Sequence, residues 1–378
     1  MFVRPSGFSF YHCSRKTKTH MKTTRTLHLF LLAILSPVAL CLLSACRHDP
    51  DAAGAEYTLD LTASVPVRSL KTDFDLSRLG RFVGPLEIDT LFRYASFSPF
   101  DGQSLLMCAD NQVFRVGVPD GKILATYGRP GRGPMEYAEA GTLDRMEGEV
   151  FITDYRVGKQ LVFDLEGKPL RSLELERLVM QNPIAPGKFF RGYPNGHKKG
   201  CLYEIVDEEG TVYRTSRIPP VEAKNPIVQL NGCLKMEGRN VIRPQLSYDY
   251  YTVTETEESH WIHVHTGQYA QPLEVLWDLE LKRLEGDKYI SREDFRVIVS
   301  GGLAFVRYFM GGLHEVIYDL KTGKILFNIK ITSEEDPILG LPVEHGGKTW
   351  YVWPVYSDEH FLICSDLYDE HFWLFTKE

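Results

Sequence analysis

One short stretch, residues 127–137, combines charged side chains with an unusual density of glycine and proline. Three Gly and two Pro among eleven residues cannot continue a helix or a central strand, so the stretch is predicted to be a loop. Arg129, Arg132, Glu136 and Tyr137 give this loop two cations, a carboxylate and a phenol that a polar ligand would contact. A structural role, in which one arginine pairs with Glu136 while Tyr137 packs internally, stays open beside ligand contact. No Lys-Ser or Lys-Thr pair follows the glycines and no helical pattern begins there, so a phosphate-binding loop is not predicted.

Carboxylates form a second candidate group. Asp110 and Asp154 end equivalent strands of two successive sequence repeats. Asp366 ends the corresponding strand of the last repeat, and Arg307 occupies this place in a late repeat. In a ring of repeats these side chains would meet at one mouth of a channel, where carboxylates bind a cation or act on a sugar. The alternative is that each Asp caps its own turn.

Histidines and aromatic residues give two weaker candidates. His263 and His265 share one face of a predicted strand with a spacing that can chelate a metal, whereas strict alternation places His260 on the opposite face. No third ligand is evident nearby, so no metal site is predicted. The aromatic run at 350–356 suits either a sugar platform or packing between repeats. No G-x-S-x-G motif indicates a hydrolase.

The amino-acid composition argues against some classes of function. The formal net charge of -7 argues against nucleic acid as a partner, because nucleic acids require a basic surface. The seven cysteines include no C-x-x-C pair, so neither a cysteine zinc site nor a thioredoxin-like motif is indicated. Cys108, Cys201 and Cys364 lie in apolar strand-like runs and are predicted to be buried free thiols.

The N-terminal region has the organisation of a bacterial lipoprotein precursor. A basic segment at 21–25 precedes an apolar stretch at 27–43, which ends in Leu-Ser-Ala-Cys and places Cys46 as the lipid acceptor. We therefore expect residues 1–20 to be a non-native upstream extension, residues 21–45 a signal peptide, and residues 46–55 a flexible tether. Acyl chains on Cys46 would hold the protein on a membrane without a transmembrane helix. An ordinary secretory signal or a single anchor helix is the alternative.

Residues 56–378 repeat one β-rich unit and are predicted to form one domain. Hairpin glycines recur as Gly121, Gly167, Gly210 and Gly323, with a period in the forties and three or four strands in each copy. This period is typical of β-propeller blades, and the length favours an all-β, six-bladed propeller over a seven-bladed one. Because the final copy is incomplete, we expect an N-terminal strand near residues 57–61 to complete it. Residues 272–283 are the only stretch with a helical tendency.

The lipoprotein motif, the repeated strand–Asp–x–x–Gly–Lys hairpins and the glycine-rich loop together resemble the TolB-like six-bladed β-propeller lipoproteins of Bacteroidota. Many members carry a G-x-G-P-G-E-[FY] segment, which corresponds here to residues 131–137, with Met135 at the position of the second family glycine. The resemblance covers residues 86 to the end. It implies a propeller fold and an envelope location, but no common reaction. The short charged segment 47–51 after Cys46 loosely resembles the surface-export signals of Bacteroidota lipoproteins, so we expect attachment to the outer membrane, periplasmic or surface-exposed.

Two functions follow as hypotheses. The first is a non-enzymatic binding or scaffold propeller for a glycan, a peptide or an envelope protein, with no cofactor, because loops around a rigid ring bind without catalytic groups. The second is a lactonase or glycan-lyase type of enzyme that uses a divalent cation held by carboxylates in the channel. The lack of a dense Glu/Asn/Asp/His set at equivalent strand ends favours the first.

Overall fold

The computed structural model describes residues 54–65, 74–88, 95–193, 200–220, 230, 232–244, 246–331, 340–366 and 371–377. Six small sheets follow one another along the chain and form a six-bladed β-propeller. The predicted lipid acceptor Cys46, the predicted signal peptide and most of the predicted tether lie outside the described residues.

Each blade contains four consecutive strands, joined mainly by antiparallel hairpins. The strands are, in blade 1, Ala95–Asp101, Ser104–Ala109, Gln112–Gly117 and Ile123–Tyr127; in blade 2, Thr142–Met146, Glu149–Asp154, Lys159–Asp164 and Pro169–Glu174; in blade 3, Met180–Ala185, Lys188–Gly192, Tyr203–Val206 and Val212–Thr215; in blade 4, Leu234–Met236, Arg239–Ile242, Tyr250–Val253 and Glu258–His265; in blade 5, Arg296–Ser300, Leu303–Phe309, Leu313–Asp319 and Ile325–Ile331; and in blade 6, Leu341–His345, Lys348–Ser357, Phe361–Ser365 and Phe372–Thr376.

The repeat is marked by glycine at the turn between the third and fourth strands. Gly121, Gly167, Gly210 and Gly323 all have a positive φ, as the hairpin prediction required. At Gly121 the backbone also approaches a neighbouring segment closely, because an added Cβ would lie 1.8 Å from the carbonyl oxygen of Glu87. Glycine is therefore required at this turn both by backbone conformation and by space.

Two N-terminal strands add to different blades. Arg81–Pro85 pairs antiparallel with Phe372–Thr376 and extends blade 6, which confirms that an N-terminal strand closes the ring. The prediction that residues 57–61 do this is wrong: Tyr57–Asp60 pairs in parallel with residues 262–265 of blade 4. Tyr57–Asp60 alternates apolar and polar residues, but this pattern does not indicate which exposed edge the strand fits.

Helices are few and short in the residues that the structure describes. Leu273–Trp277 and Leu279–Glu285 connect blades 4 and 5 and confirm the helical tendency predicted there; Asp278 caps the second one through the amides of Glu280 and Leu281. Single 3₁₀ turns occupy Leu61–Ala63, Leu76–Leu79, Gly267–Tyr269 and Gly286–Lys288. Within the described part of the chain, no helix has the length and apolar composition needed to cross a bilayer.

The hydrophobic core lies mainly between adjacent blades. Val150, Ile152 and Phe163 of blade 2 pack with Leu106 and Tyr127 of blade 1, and comparable clusters join the other neighbouring blades. Such packing leaves the innermost strand of each blade facing the centre of the ring. The fold therefore positions one strand from every blade around a common central space.

Candidate functional site

The glycine-rich loop crosses from the last strand of blade 1 to the first strand of blade 2. Glu136 organises it: one carboxylate oxygen accepts from Arg129 Nε at 2.7 Å and the other accepts from the amide of Gly133 at 2.7 Å. The Gly133 amide and then Arg129 hold the pKa of Glu136 below its usual value. Gly131 lies against the same carboxylate, because an added Cβ would lie 2.1 Å from Glu136 Oε2.

Tyr137 anchors this loop in the core between blades 1 and 2. Its side chain is fully buried, and its hydroxyl accepts from the Val113 amide at 3.2 Å and donates to the Tyr127 carbonyl at 3.3 Å. Burial raises the pKa of Tyr137 to about 12. Met135, at the family glycine position, does not have a positive φ, so it adds no left-handed strain. These contacts are the ones expected if the loop has a structural role. Ligand contact by the exposed Arg129 and Arg132 stays a prediction.

Asp154 acts as a turn cap. It is fully buried at the end of its strand, and its carboxylate oxygens accept hydrogen bonds of 2.5 to 3.3 Å from backbone amides. The donors are the amides of Ala138, Glu139, Arg156 and Val157. Asp110 is exposed in a hairpin turn with φ of +45°, and Asp366 pairs with His371 at 2.8 Å. Asp110 and Asp154 lie at the ends of the second strands of blades 1 and 2, and Asp366 follows the third strand of blade 6. None of the three lines the centre of the ring.

A central cavity of about 530 Å³ lies inside the ring. Its wall contains residues from the first strand of each of blades 1 to 5. In blade 6 the wall is formed by residues 353–357, the second half of Lys348–Ser357, because the first half of that strand pairs with Leu341–His345. A volume of this size suits a small organic ligand. Of the loop residues, the three aspartates and Arg307 proposed from sequence as ligand contacts, only Arg307 lines this cavity.

The cavity wall is more basic than the chain as a whole. Lys235, Arg243, Arg296 and Arg307 face two acidic residues, Asp144 and Glu293, whereas the whole chain has a net charge of -7. Because low-dielectric walls focus the field of such a cluster, the cavity is an attractive environment for an anion.

Of these cations, Arg296 and Arg307 give the most information about what the cavity could bind. They are directly opposite each other on the first two strands of blade 5. Arg307 is held by Glu315, which it contacts at 2.5 Å through Nη2, and its guanidinium lies 5.7 Å from the Trp353 ring centroid. Burial raises the pKa of Glu315, and the charge and hydrogen bond of Arg307 oppose that shift. Arg296 is exposed and has no hydrogen-bond or ion-pair partner within the described residues.

Asp144 is an unusual group in the cavity wall. It is buried, and Lys235 Nζ lies 3.9 Å from its Oδ2. Burial raises the pKa of Asp144 to about 6, although the positive charge of Lys235 opposes the shift. The nearby Asn182 is also buried, and its Oδ1 has no hydrogen-bond partner among the described residues. Asp144 and Asn182 therefore place polar groups among the residues that line the cavity.

The predicted aromatic run has the packing role given from sequence, and its role as a sugar platform stays a prediction. Trp350 packs against Trp373 with ring centroids 5.1 Å apart, while Trp353 contacts Phe305 at 5.9 Å in the core between blades 5 and 6. Trp353 also reaches the cavity wall. The run therefore packs blades together and supplies part of the apolar lining.

The prediction that His260 faces away from His263 is wrong. Tyr250 pairs with Ile262 and Tyr251 pairs with His260, so a β-bulge leaves Trp261 as an extra residue. Trp261 and Ile262 are consequently both buried in the core, and His260 lies on the same face as His263, beside Asp249. Strict alternation does not reveal this bulge.

The fold resembles solved structures from Bacteroides. A Bacteroides fragilis protein for which export has been proposed matches with a TM-score of 0.59 and 13% identity, over 85% of this chain and 99% of that chain. A Bacteroides vulgatus member of the DUF4221 family gives a TM-score of 0.45 and 11% identity, over 79% and 98%. No protein-family model and no curated protein sequence matches the chain.

The shared feature is the fold. At 13% identity the likeness to the Bacteroides fragilis protein concerns the fold alone and carries no site residue across. The finer assignment to TolB-like lipoproteins stays a prediction.

Sequence reasoning found Arg307 but missed the other charged and polar residues named above in the cavity wall. Asp144, Asn182, Lys235, Arg243 and Arg296 lie on or beside short inner strands that lack clear apolar alternation. Most of them lie on the strand that precedes the hairpins recognised from the sequence. A search at that place in each repeat would have located them.

Proposed function

We propose that this protein is a non-enzymatic binding module of the bacterial envelope, anchored through a lipid on Cys46, whose central cavity takes a small carboxylate-bearing ligand. The observation that carries the proposal is Arg296: an exposed guanidinium in the cavity wall that no described residue engages, beside the fixed charge of Arg307. Arginine recognises carboxylates through two parallel hydrogen bonds.

The remainder of the wall suits such a ligand. Phe97 and Phe372 supply apolar surface, and Asn182 places a polar side chain in the same wall. Most binding pockets combine an apolar lining with a few polar groups that fix orientation. A uronic acid fragment and an acidic dipeptide both present this combination of carboxylate, hydrogen-bond donor and apolar face.

The envelope location rests on the lipoprotein motif at Cys46 and on the similarity in fold to a Bacteroides fragilis protein for which export has been proposed. A cation-dependent lactonase or lyase receives less support. The described cavity wall has only two carboxylates, and one of them, Asp144, lies beside Lys235 rather than beside a second acid.

Calorimetric titration of the purified protein tests the proposal. The ligands are oligogalacturonate, an acidic dipeptide and a neutral oligosaccharide of matched size, and the first two distinguish a glycan source from a peptide source. We expect binding of one acidic ligand, weakened at high salt, and no binding of the neutral one.

Variants then locate the site. Arg296→Gln should weaken binding by about tenfold to a hundredfold, since a hydrogen bond to a charged group contributes about 1.5–3 kcal/mol. Arg177→Gln, an exposed arginine outside the cavity wall, is the matched control and should leave affinity unchanged. Loss of binding in Arg129→Gln but not in Arg296→Gln would place the site at the glycine-rich loop instead. Failure of both acidic ligands to bind would refute the cavity proposal.

A further inference from the structure

A cluster of metal-ligating side chains lies outside the central cavity. Asp249, at the start of the third strand of blade 4, faces His260 and His263 on the fourth strand. The His260 Nε2 lies 3.5 Å from Asp249 Oδ2, and the His263 Nδ1 lies 3.2 Å from Asp249 Oδ1. All three side chains are largely shielded from solvent, and one donor atom from each falls within 4.8 Å of the others.

These separations match a metal centre. Ligand bonds of about 2.0–2.1 Å in tetrahedral geometry put neighbouring donor atoms about 3.4 Å apart. Two imidazoles and one carboxylate form a donor set that suits Zn²⁺, whereas Ca²⁺ and Mg²⁺ prefer oxygen ligands alone. Three protein donors leave a fourth position for water or another ligand.

The His260 nitrogen gives an independent indication. The His260 Nε2 is buried, points towards Asp249 and makes no hydrogen bond within the described part of the chain. A buried nitrogen without a hydrogen-bond partner is unusual in a folded protein, and a bound cation would satisfy it.

The ligands are also held in place by their surroundings. Asp249 Oδ1 accepts from the Val264 amide at 2.9 Å, and the Asp249 amide donates to Ser247 Oγ at 3.0 Å. The Tyr251 ring stacks on His260 with centroids 4.8 Å apart and an angle of 18° between planes. Such supporting contacts orient metal ligands in known sites. The β-bulge at Trp261 is the backbone feature that brings His260 to this face.

We propose that Asp249, His260 and His263 form a binding site for one zinc-type divalent ion in blade 4. This site is separate from the cavity of the proposed function, since none of the three residues lines that cavity.

The test is Zn²⁺ binding by the purified full-length protein after removal of metal with a chelator. Elemental analysis after dialysis against Zn²⁺ should give one ion per chain. His260→Gln and Asp249→Asn should each lower the affinity by about tenfold or more, because loss of a ligand exceeds the effect of losing a supporting contact. His265→Gln is the matched control: it lies on the same strand, two residues from His263, and should keep the affinity within about twofold of the original protein.

Two further measurements keep the result interpretable if a variant folds poorly. Co²⁺ in the unaltered protein should give the intense visible absorption of a tetrahedral site, and excess Zn²⁺ should abolish it. Added Zn²⁺ should raise the melting temperature of the unaltered protein but not that of His260→Gln. Absence of stoichiometric Zn²⁺ in the unaltered protein would overturn the proposal. So would an equal loss of affinity in His265→Gln, which would point to a His263–His265 pair instead.

Discussion

Asp144→Asn probes the cost of placing a carboxylate in the cavity wall. Burial raises the pKa of Asp144 to about 6 in the folded protein, about two units above the ordinary value for aspartate. Each unit corresponds to 1.36 kcal/mol, so the ionised side chain destabilises the folded state by about 3 kcal/mol. Asparagine preserves the shape and hydrogen-bonding capacity of the protonated acid and does not titrate.

The sign of the pH dependence follows from proton linkage. Between about pH 4 and pH 6 the folded protein binds this proton while the unfolded chain has released it, so the contribution of Asp144 to stability falls as the pH rises. Above about pH 6 both states are ionised and the penalty is constant. The free energy of unfolding of Asp144→Asn should therefore increase relative to that of the unaltered protein by about 3 kcal/mol from pH 4 to pH 7.

Urea unfolding followed by tryptophan fluorescence at several pH values between 4 and 7.5 measures this difference. Asp319→Asn is a control of opposite sign, because Arg78, at 2.7 Å, lowers the pKa of Asp319. The stabilising contribution of Asp319 is present above the ordinary aspartate pKa and is lost as the pH falls through the depressed folded value. If the difference for Asp144→Asn does not change with pH, or favours aspartate as the pH rises, then the attraction of Lys235 outweighs burial and the reasoning is refuted.

Two further predictions concern the loop and the membrane anchor. Glu136→Ala should speed hydrogen exchange of the Gly133 amide, which donates to Glu136, while exchange in the distant blade 5 stays unchanged; equal exchange at Gly133 would show that the carboxylate does not order the loop. Cys46→Ala should move the protein from the membrane fraction to the soluble fraction of lysed cells, because the lipid acceptor is lost, and continued sedimentation with membranes would contradict lipid anchoring.

The sequence predicts the outer parts of the blades well. The turn glycines Gly121, Gly167, Gly210 and Gly323 require a positive φ, and the strands beside them carry enough apolar residues to show the repeat. This regularity suffices for the number of blades and for closure by an N-terminal strand. It does not identify the closing strand, because pairing of Arg81–Pro85 with blade 6 depends on distant residues.

The inner strands are difficult to predict from the sequence for a physical reason. Thr142–Met146 and Leu234–Met236 each have one buried residue flanked by more exposed ones, since one side of an inner strand faces the cavity rather than a neighbouring blade. Lys235 and Asp144 therefore occupy positions where the apolar pattern of a strand is weakest. Charged residues that line a cavity interrupt the apolar alternation by which strands are recognised in a sequence.

The two proposed sites arise where the repeat is locally broken. In blade 4 one extra residue, Trp261, reverses the alternation and brings His260 to Asp249. In the cavity, inner strands place the charged residues Arg296 and Asp144 in the wall. Because residues that stabilise a repeat fold follow its pattern, charged and polar groups that depart from the pattern need another explanation. Ligand binding supplies one for each site: an acid for the unpartnered arginine and a metal ion for the buried imidazole.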